Sequence, residues 1–432
     1  MSLGAIMVVL TVILFALLIL GLEIAASLAL VTMIGLLAFT NQPLFSIAGQ
    51  YWSMTNSFIL TAIPLFIFMG ELFSRSGISR RLFWAIDRWI GWMPGGIACT
   101  VIGACAVFAA ITGSSVAGAA TMGTISVGAM RERSYDMKLT FGSIAAGGTL
   151  GILIPPSIIM IVYGASEGLS IGRLFAAGVV PGIMLAGAFI LLIVVRAILN
   201  PKIAPDPQRY SWADRLRSLP ELLPSVVIIV VVLGGVFGGV MTPTEAAAVG
   251  CTATLLLALL YRSLNWDALV KSLTGAVRTT SMVLLVAVAA KALAFLMMYL
   301  GISDMLRDAI LGAGLGKYGT LALIAFMYLI LGCFFEGISM MLITLPFVMP
   351  IIGGLGLSPY WFVVPLVILI EASLITPPVG LNLYVLKGIA PDRDVLEVAR
   401  GSLPFLVAMM VVIAIVIVFP SIPMWFPNLI YN

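Results

Sequence analysis

Two short polar segments interrupt otherwise apolar stretches of the chain, and their oxygen atoms are candidates for binding chemistry. The first segment is Thr-Gly-Ser-Ser at 112–115, and the second is Glu-Gly-Ile-Ser at 336–339. Hydroxyl and backbone carbonyl oxygens suit a hard cation such as Na⁺. The alternative for each serine is a hydrogen bond back to its own helix. We call these segments the first and second tip.

A Pro-Pro pair follows each tip at a similar interval. Pro155 lies 42 residues after Gly113, and Pro377 lies 40 residues after Gly337. The sequences around the pairs are also alike, Gly-Ile-Leu-Ile-Pro-Pro-Ser at 151–157 and Ser-Leu-Ile-Thr-Pro-Pro-Val at 373–379. Because proline removes a backbone donor and clashes with the preceding turn, we expect each pair to break a helix. An ordinary kink is the alternative for a single proline, but it does not explain two pairs matched to two tips.

The composition places these segments in a membrane protein. Of 432 residues, 62% are apolar and only 9% are charged, whereas a soluble domain is about 25% charged. This composition cannot supply a polar surface, so a soluble multidomain enzyme and a disordered chain are excluded. The apolar runs are continuous rather than alternating, which also excludes a transmembrane barrel. The predicted fold class is an all-α polytopic membrane protein.

Several kinds of chemistry are excluded by what the sequence lacks. It contains no histidine, so imidazole proton relays, histidine-ligated metals and Ser-His-Asp triads are absent. The four cysteines lie in apolar stretches without metal-type spacing and are expected to be small buried side chains. There is no nucleotide-binding loop motif, so an ion gradient is the expected source of energy. The net charge of +4 gives no indication of a nucleic-acid partner.

Eight apolar windows are long enough to cross a hydrocarbon core of about 30 Å. They lie at 3–20, 22–39, 57–73, 174–196, 222–240, 244–261, 279–300 and 403–425. The first has no basic segment before it, so we expect a retained helix rather than a signal peptide. Gly, Ser, Thr or Pro interrupts four further windows. We interpret 97–130 and 319–352 as hairpins that enter and leave on one side, and 139–164 and 361–388 as broken spanning helices.

The distribution of basic residues supports this layout. With the N-terminus outside, 18 of the 22 Lys and Arg residues fall on one side and 3 on the other, while Lys291 lies within a span. The positive-inside rule then puts the basic side in the cytoplasm and both chain ends outside it. The first hairpin opens from inside and the second from outside. The two halves therefore form an inverted repeat, a recurring plan among secondary transporters.

The repeat divides the chain into scaffold and transport segments. The predicted segments are 1–96 (scaffold helices), 97–164 (first half of a transport domain), 165–318 (scaffold helices), 319–388 (second half) and 389–432 (a C-terminal scaffold helix). A proline-rich polar stretch at 200–221 is the predicted cytoplasmic linker. It either lies along the membrane interface through Trp212 and Leu216 or is plainly solvated.

Four charged residues inside apolar stretches need separate interpretations, because burying a charge is costly. Glu336 at the second tip either couples a cation or proton, or lies at the interface. Glu371 either tunes a cation site near Thr376 or pairs with a helix end. Glu245 follows Thr-Pro-Thr and is expected to cap a helix N-terminus. Lys291 has no partner evident from sequence; snorkelling and a subunit contact both stay open.

Taken together in this order, several motifs resemble one family. The sequence resembles the large membrane subunit (DctM type) of tripartite ATP-independent periplasmic (TRAP) transporters over nearly its whole length. The matching stretches include Ile-Thr-Gly-Ser-Ser-Val-Ala at 111–117, Thr-Pro-Thr-Glu-Ala-Ala-Ala-Val-Gly at 242–250 and Ile-Thr-Pro-Pro-Val-Gly-Leu-Asn-Leu at 375–383, with others at 62–72, 94–98, 148–157 and 345–350.

The resemblance implies an elevator-type, Na⁺-driven importer of small organic acids in the bacterial inner membrane. It also implies two partners, a periplasmic substrate-binding protein and a small four-helix membrane subunit. In such proteins the hairpins and broken helices form the moving transport domain. The resemblance suggests one Na⁺ site at Ser114, Ser115, Gly151, Ile154 and Pro156, and another at Gly337, Ser373, Thr376 and Val379. Ser373 departs from the family, which commonly has glycine at that position.

The substrate is expected between the two tips, with contacts from Thr112, Gly113, Ser114, Ser339 and Asn382. No Arg or Lys occurs at either tip, so the sequence does not indicate which acid is carried. One alternative is a stand-alone, possibly proton-coupled organic anion transporter that needs no binding protein. A second alternative is an intramembrane enzyme, which lacks the paired nucleophile and base or the metal ligands that it would need.

Overall fold

A computed structural model describes residues 2–205, 207–377 and 380–431. These residues form α-helices joined by short turns, and no strand occurs among them. The helices are α1 Leu3–Ile19, α2 Ile24–Phe39, α3 Phe45–Thr55, α4 Ala62–Arg75, α5 Ile78–Ile90, α6 Ile97–Thr112, α7 Ser115–Glu132, α8 Met137–Leu153, α9 Ile158–Glu167, α10 Ile171–Leu199, α11 Trp212–Phe237, α12 Pro243–Leu260, α13 Trp266–Tyr299, α14 Ile302–Gly312, α15 Gly316–Leu331, α16 Gly337–Gly354, α17 Pro359–Leu374, α18 Leu381–Ile389, α19 Val395–Val418 and α20 Ser421–Tyr431. Two 3₁₀ turns occur at Phe58–Thr61 and Pro201–Ile203.

Eight helical segments in the described part of the chain are long and apolar enough to cross a membrane. They are Phe58–Arg75, Met137–Glu167, Ile171–Leu199, Trp212–Phe237, Pro243–Leu260, Trp266–Tyr299, Gly337–Gly354 and Val395–Val418. Five shorter helices, α1, α2, α6, α15 and α17, are also apolar. The prediction of an all-α polytopic membrane protein is confirmed.

Each of the four interrupted windows contains two helices separated by a break. In the first, α6 ends at Thr112, and Gly113 takes a φ of +60°, a left-handed conformation that glycine adopts at little cost. Ser114 then caps α7. Residues 332–336 separate α15 from α16, and residues 154–157 separate α8 from α9. Between α17 and α18, the described residues of the break are 375–377 and Gly380.

The two helices that precede the Pro-Pro pairs are the most enclosed in the molecule. Every residue of α8 from Leu139 to Leu153 is buried, and so is every residue of α17 from Trp361 to Leu374. α8 packs against α6, α7, α10 and α19, while α17 packs against α15, α16 and α19. The break after α8 is therefore surrounded by protein, where backbone groups outside a helix can find partners, whereas Thr376 and Pro377 after α17 are half-buried.

Two boundaries predicted from the sequence are wrong. The window 403–425 is not one helix, because α19 ends at Val418 and a separate helix, α20, begins after Pro420. Proline disfavours helical backbone in the residue before it, and Phe419 is accordingly non-helical. The predicted linker 200–221 is also too long, since α11 begins at Trp212. A capping box between Ser211 and Asp214 sets that start.

The remaining linker is attached to the first half of the chain rather than freely solvated. The Tyr210 hydroxyl donates to Asp87 Oδ2 at 2.5 Å, and Asp87 Oδ1 accepts from Thr100 at 2.9 Å. Asp136 N donates to the carbonyl of Ile203 at 2.9 Å. Burial raises the pKa of Tyr210, and its hydrogen bond to Asp87 raises it further. Both linker ends are thus held at the side where basic residues predict the cytoplasm.

Three short helices, α3, α5 and α14, were not predicted. Of these, α5 and α14 are amphipathic, and a search for long apolar windows passes over such segments because their hydrophobic residues occur on one face only. In α5, for example, Leu82, Phe83 and Ile86 are buried. On its polar face, the Arg81 guanidinium lies over the ring of Tyr261, 4.7 Å from the ring centroid.

The contact between α8 and α19 depends on two glycines that oppose each other. A Cβ atom at Gly142 would overlap the carbonyl group of Gly401, and a Cβ atom at Gly401 would overlap the carbonyl oxygen of Lys138. No side chain separates the two backbones here. Such close approach requires a residue without a side chain on each helix, as in other small-residue contacts between membrane helices.

We expect Gly142→Ala to lower the free energy of unfolding by about 1–3 kcal/mol, because the added methyl group must push α8 away from α19. Gly187→Ala on α10 is the matched control, since no atom lies within 4 Å of its added Cβ. Alanine is otherwise the better helix former, so the control is expected to be neutral or stabilising. Thermal unfolding of the purified protein in detergent measures both. Equal unfolding midpoints for the two variants would contradict the close contact.

Candidate functional site

The two tips line a single cavity of about 440 Å³. Gly113, Ser114 and Ser115 contribute to its wall from the first tip, and Glu336 and Gly337 contribute from the second. The other polar residues on the wall are Glu71, Ser74, Arg75, Thr121 and Thr279. Two segments more than 200 positions apart in the sequence therefore meet at one site, as the sequence predicted.

The first tip lies directly against the first break. A Cβ atom at Gly113 would lie 2.6 Å from the carbonyl oxygen of Pro156, so only glycine permits this approach. On the other side of the tip, a Cβ atom at Gly151 would lie 2.6 Å from the carbonyl oxygen of Ser114. Four members of the first predicted cation site, Ser114, Ser115, Gly151 and Pro156, are therefore close together.

Around the second tip, the contacts are made mainly to α17, and one reaches the start of the second break. A Cβ atom at Gly332 would overlap the side chain of Ser373, and a Cβ atom at Gly337 would lie 2.6 Å from Cγ2 of Ile370. The Cys333 thiol lies 3.6 Å from the carbonyl oxygen of Pro377. Ser373 is thus accommodated by a glycine that faces it across the contact. This pairing explains how the chain tolerates serine where the family commonly has glycine.

A hydrogen bond joins the two halves at the centre of the site. The Ser115 hydroxyl, in the first turn of α7, donates to Oε1 of Glu371, which belongs to α17 in the other half. Glu371 is completely buried, and its Oε2 has no hydrogen-bond partner in the described part of the structure. A buried carboxylate oxygen without a partner is costly unless a proton or a cation satisfies it.

Two other acidic residues cap helices. Glu336 Oε2 accepts hydrogen bonds from the backbone N–H groups of Ile338 and Ser339, at 3.1 and 3.2 Å, and so caps α16. This carboxylate also lies on the cavity wall. Glu245 forms a capping box with Thr242 at the start of α12. The predicted capping role of Glu245 is confirmed, and Glu336 combines a capping role with a position at the site.

Several predicted site residues lie off the cavity wall. The hydroxyls of Thr112 and Thr376 donate to carbonyl groups of their own helices, Phe108 at 3.1 Å and Ala372 at 2.7 Å. Ser339 lines a neighbouring cavity of about 580 Å³, which also touches Glu336. Ile154 packs against Gly182 of α10, and the Asn382 amide donates to Ala145 O at 3.5 Å. Gly151, Pro156 and Ser373 also lie off the wall, whereas Val379 lies outside the described residues.

The cavity contains a basic residue that was not predicted at the site. Arg75, in the last turn of α4, donates from Nε to Glu71 Oε2 at 2.9 Å. Next to it, the hydroxyls of Ser74 and Thr121 are 2.7 Å apart and connect α4 to α7. From sequence, Arg75 was counted only as one of the basic residues on the predicted cytoplasmic side. Its position at the cavity depends on the fold, which brings the C-terminal end of α4 next to the tips.

Lys291 lies away from the cavity. Its Nζ donates to the backbone carbonyl of Ser166 at 3.3 Å, near the C-terminal end of α9. Ser166, Glu167 and Lys291 line a small void of about 50 Å³. A cation at the carbonyl end of a helix is favourable. Lys291 therefore has a hydrogen-bond partner within its own chain. The two interpretations made from sequence, snorkelling and a subunit contact, did not include such a partner.

The family profile for the DctM component of tripartite ATP-independent periplasmic transporters matches residues 11–422. The chain therefore belongs to this family, which consists of transporters rather than enzymes. It is 33% identical over 441 aligned positions to the C4-dicarboxylate TRAP transporter large permease protein DctM of Vibrio cholerae, covering 97% of each chain.

Two further relatives differ in the compound that their names give. The isethionate TRAP transporter permease protein DctMQ of Oleidesulfovibrio alaskensis is 32% identical, with 95% of this chain and 64% of that protein covered. The sialic acid TRAP transporter large permease protein SiaM of Vibrio cholerae is 30% identical, with 95% of each covered. Among solved structures, the fold is similar to that of the Alcanivorax borkumensis YdaH transporter, with a TM-score of 0.64, 13% identity and coverage of 93% of this chain and 98% of that one.

We expect Ser115→Ala to destabilise the protein by about 1–3 kcal/mol, because it removes the donor to a fully buried carboxyl group. Ser126→Ala is the matched control: Ser126 is also buried in α7, but it donates only to Met122 of its own helix. Thermal unfolding of Ser115→Ala, Glu371→Gln and the double variant gives the coupling energy. A coupling energy near zero would contradict a bond between the two halves.

Proposed function

We propose that this chain imports a small organic acid across the bacterial inner membrane by Na⁺-coupled secondary transport. A periplasmic binding protein would deliver the substrate, and a small membrane subunit would complete the complex. The observation that carries the proposal is the shared cavity, because both tips contribute to it. The description of the family as tripartite and periplasmic supports the two partners.

The buried polar groups at the first tip support a cation there. Ser114, Ser115, Gly151 and Pro156 bring hydroxyl and carbonyl oxygens together, and the unpartnered oxygen of Glu371 lies behind them. Oxygen atoms of this kind are the ligands that hard cations prefer. Loss of the proton from the buried Glu371 carboxyl group when a cation binds would supply the negative charge that favours Na⁺ over an uncharged occupant.

The second tip offers a weaker but related arrangement. Gly337 packs against Ile370 of α17, Ser373 faces Gly332 just before the tip, and the Thr376 hydroxyl donates to the carbonyl of Ala372. A hydroxyl that donates one hydrogen bond keeps lone pairs for a cation. We therefore keep Gly337, Ser373, Thr376 and Val379 as the second proposed Na⁺ site, although the structure does not describe Val379.

The proposed transport step is an elevator movement of the tips and breaks against the remaining helices. α8 and α17 carry the breaks and are enclosed by their neighbours, so each tip must move together with its break. The direct backbone contact between Gly142 and Gly401 also ties α19 to α8. We therefore place α19 in the moving unit, in addition to the proposed segments 97–164 and 319–388.

α10 belongs to the same proposed moving unit. A Cβ atom at Gly178 would lie 2.6 Å from the carbonyl oxygen of Leu153, at the first break. A Cβ atom at Gly182 would lie 2.7 Å from the side chain of Ile154. Because these contacts are made to the break itself, we place α10 with it. The proposed sliding interface would cross the hydrogen bond between Ser74 and Thr121 and the contact of Gly70 with Thr112, where an added Cβ would lie 3.0 Å from Thr112 Cα.

The proposed substrate class is an organic anion. The three relatives named above differ in substrate, but C4-dicarboxylate, isethionate and sialic acid each carry a carboxylate or sulfonate group. A cavity of about 440 Å³ suits a molecule of that size.

We expect proteoliposomes that contain the chain, its small subunit and a candidate binding protein to accumulate an organic acid only when a Na⁺ gradient is imposed. Succinate, isethionate and N-acetylneuraminate are suitable radiolabelled probes, and an equal K⁺ gradient is the control. Uptake that is the same under both gradients would exclude Na⁺ coupling. Uptake that needs no binding protein would instead favour the stand-alone transporter.

We expect Thr376→Ala to raise the Na⁺ concentration for half-maximal uptake about tenfold, because one oxygen ligand is lost. Thr254→Ala is the matched control: its buried hydroxyl also donates to a carbonyl four residues earlier, at 2.8 Å, but on α12. Ser115→Ala tests the first site in the same assay. If neither substitution changed the Na⁺ dependence, the assigned ligands would be wrong.

A further inference from the structure

Arg75 is the only basic side chain among the described residues that line the cavity shared by the two tips. It belongs to α4, which lies outside the proposed moving unit. Its side chain is 41% exposed, so its guanidinium group is accessible from the cavity rather than covered by protein. The positive-inside rule accounts for a basic residue at the cytoplasmic end of α4, but it does not account for a basic side chain on the wall of a cavity proposed to carry an anion.

The hydrogen bonds of Arg75 leave most of its donors available. A guanidinium group has five N–H donors, and carboxylates bind best to two of them at once. In the described structure, the Nε–H of Arg75 donates to Glu71 Oε2, and no acceptor is within reach of its two Nη atoms. The four Nη–H groups can therefore receive a second carboxylate or a sulfonate.

Glu71 holds the guanidinium group in place and also competes with any anion for it. The ion pair joins residues four positions apart on α4, and the Glu71 side chain is 26% exposed. Its carboxyl group packs against Gly275 of α13, where an added Cβ would lie 3.0 Å from Glu71 Cδ. A paired arginine attracts a second anion less strongly than a free one, so this arrangement favours weak binding.

On the opposite wall, a hydroxyl rather than a carboxylate caps the N-terminal end of α7, and the buried carboxyl group of Glu371 lies behind it, hydrogen-bonded to Ser115. Ser114 caps α7, so the positive end of that helix dipole faces the cavity without a carboxylate cap. By contrast, the carboxylate of Glu336 already caps α16. Thr121, which contacts Ser74 beside Arg75, lies six residues after Ser115, or about 9 Å along α7. An acid could thus contact both Arg75 and the start of α7.

We infer that Arg75 binds an acid group of the transported anion on the fixed wall of the cavity, and that Glu71 limits this affinity so that the anion is released. The inference rests on the proposed function, since it assigns a residue to the substrate site of that function. The expected ligand chemistry is a carboxylate or sulfonate group that receives two N–H donors. Neither Arg75 nor Glu71 needs to contact Na⁺.

Equilibrium binding of radiolabelled succinate to the purified protein in NaCl tests the inference. Arg75→Gln should raise the Kd about 10- to 100-fold, because a hydrogen bond to a charged group is lost. Arg75→Lys should fall in between, since lysine keeps the charge but not the paired donors. Glu71→Gln should lower the Kd by up to about fivefold, because it removes the competing carboxylate.

The pair Asp267 and Lys271 on α13 provides matched controls, since it has the same four-residue spacing but does not line the cavity. Asp267→Asn and Lys271→Gln should leave the Kd and the unfolding midpoint unchanged. A merely structural role for Arg75 would shift the midpoint and would not produce opposite changes in Arg75→Gln and Glu71→Gln.

Equal Kd values for the wild-type protein, Arg75→Gln and Glu71→Gln, or no succinate binding by any of them, would overturn the inference. Uptake that is indifferent to Na⁺ would contradict the proposed coupling instead, and it would leave these differences in binding intact. The two failures are therefore distinguishable.

Discussion

Backbone groups that leave a helix inside a membrane must find polar partners within the protein, and the architecture of this chain follows from that constraint. The Pro-Pro pair after α8 and the glycine of the first tip each interrupt a helix, and the structure brings them into contact. Pro156 O lies 2.6 Å from the position that a Cβ atom on Gly113 would take, so the two interruptions share one enclosed place. Around the second tip, Gly337 packs against α17, and Cys333 reaches the carbonyl oxygen of Pro377 in the second break. Burial of α8 and α17 is therefore a requirement of the breaks rather than a separate feature.

The positions of the breaks could be predicted from sequence because proline and glycine act locally, through φ and the missing N–H. Capping by Glu245 was predictable for the same reason, since its partner Thr242 is three residues away. Partners across the fold were not predictable. The bond between Ser115 and Glu371 and the place of Arg75 at the cavity depend on how α4, α7 and α17 pack. No local signal in the sequence carries that information.

The errors in the predicted helix ends have a different physical origin. Apolarity decides whether a segment can lie in a membrane, but it does not decide where a helix stops. Pro420 separates α19 from α20 within one apolar run, whereas Pro220 and Pro224 lie inside α11. The same residue type thus ends one helix and is accommodated in another. Likewise, Gly332 compensates for the bulk of Ser373 from a position that sequence alone gives no reason to compare with it.

The charges at the cavity connect the proposed cation coupling with the proposed anionic substrate. Among the described residues on its wall, Glu71 and Glu336 are acidic and only Arg75 is basic, and Glu371 lies directly behind Ser115. An organic anion that entered this cavity alone would meet an excess of negative charge. Cations at the tips would remove that excess, so the anion would bind well only when Na⁺ is present. Once Na⁺ leaves, the same carboxylates would favour release, and the competition between Glu71 and the substrate for Arg75 acts in the same direction.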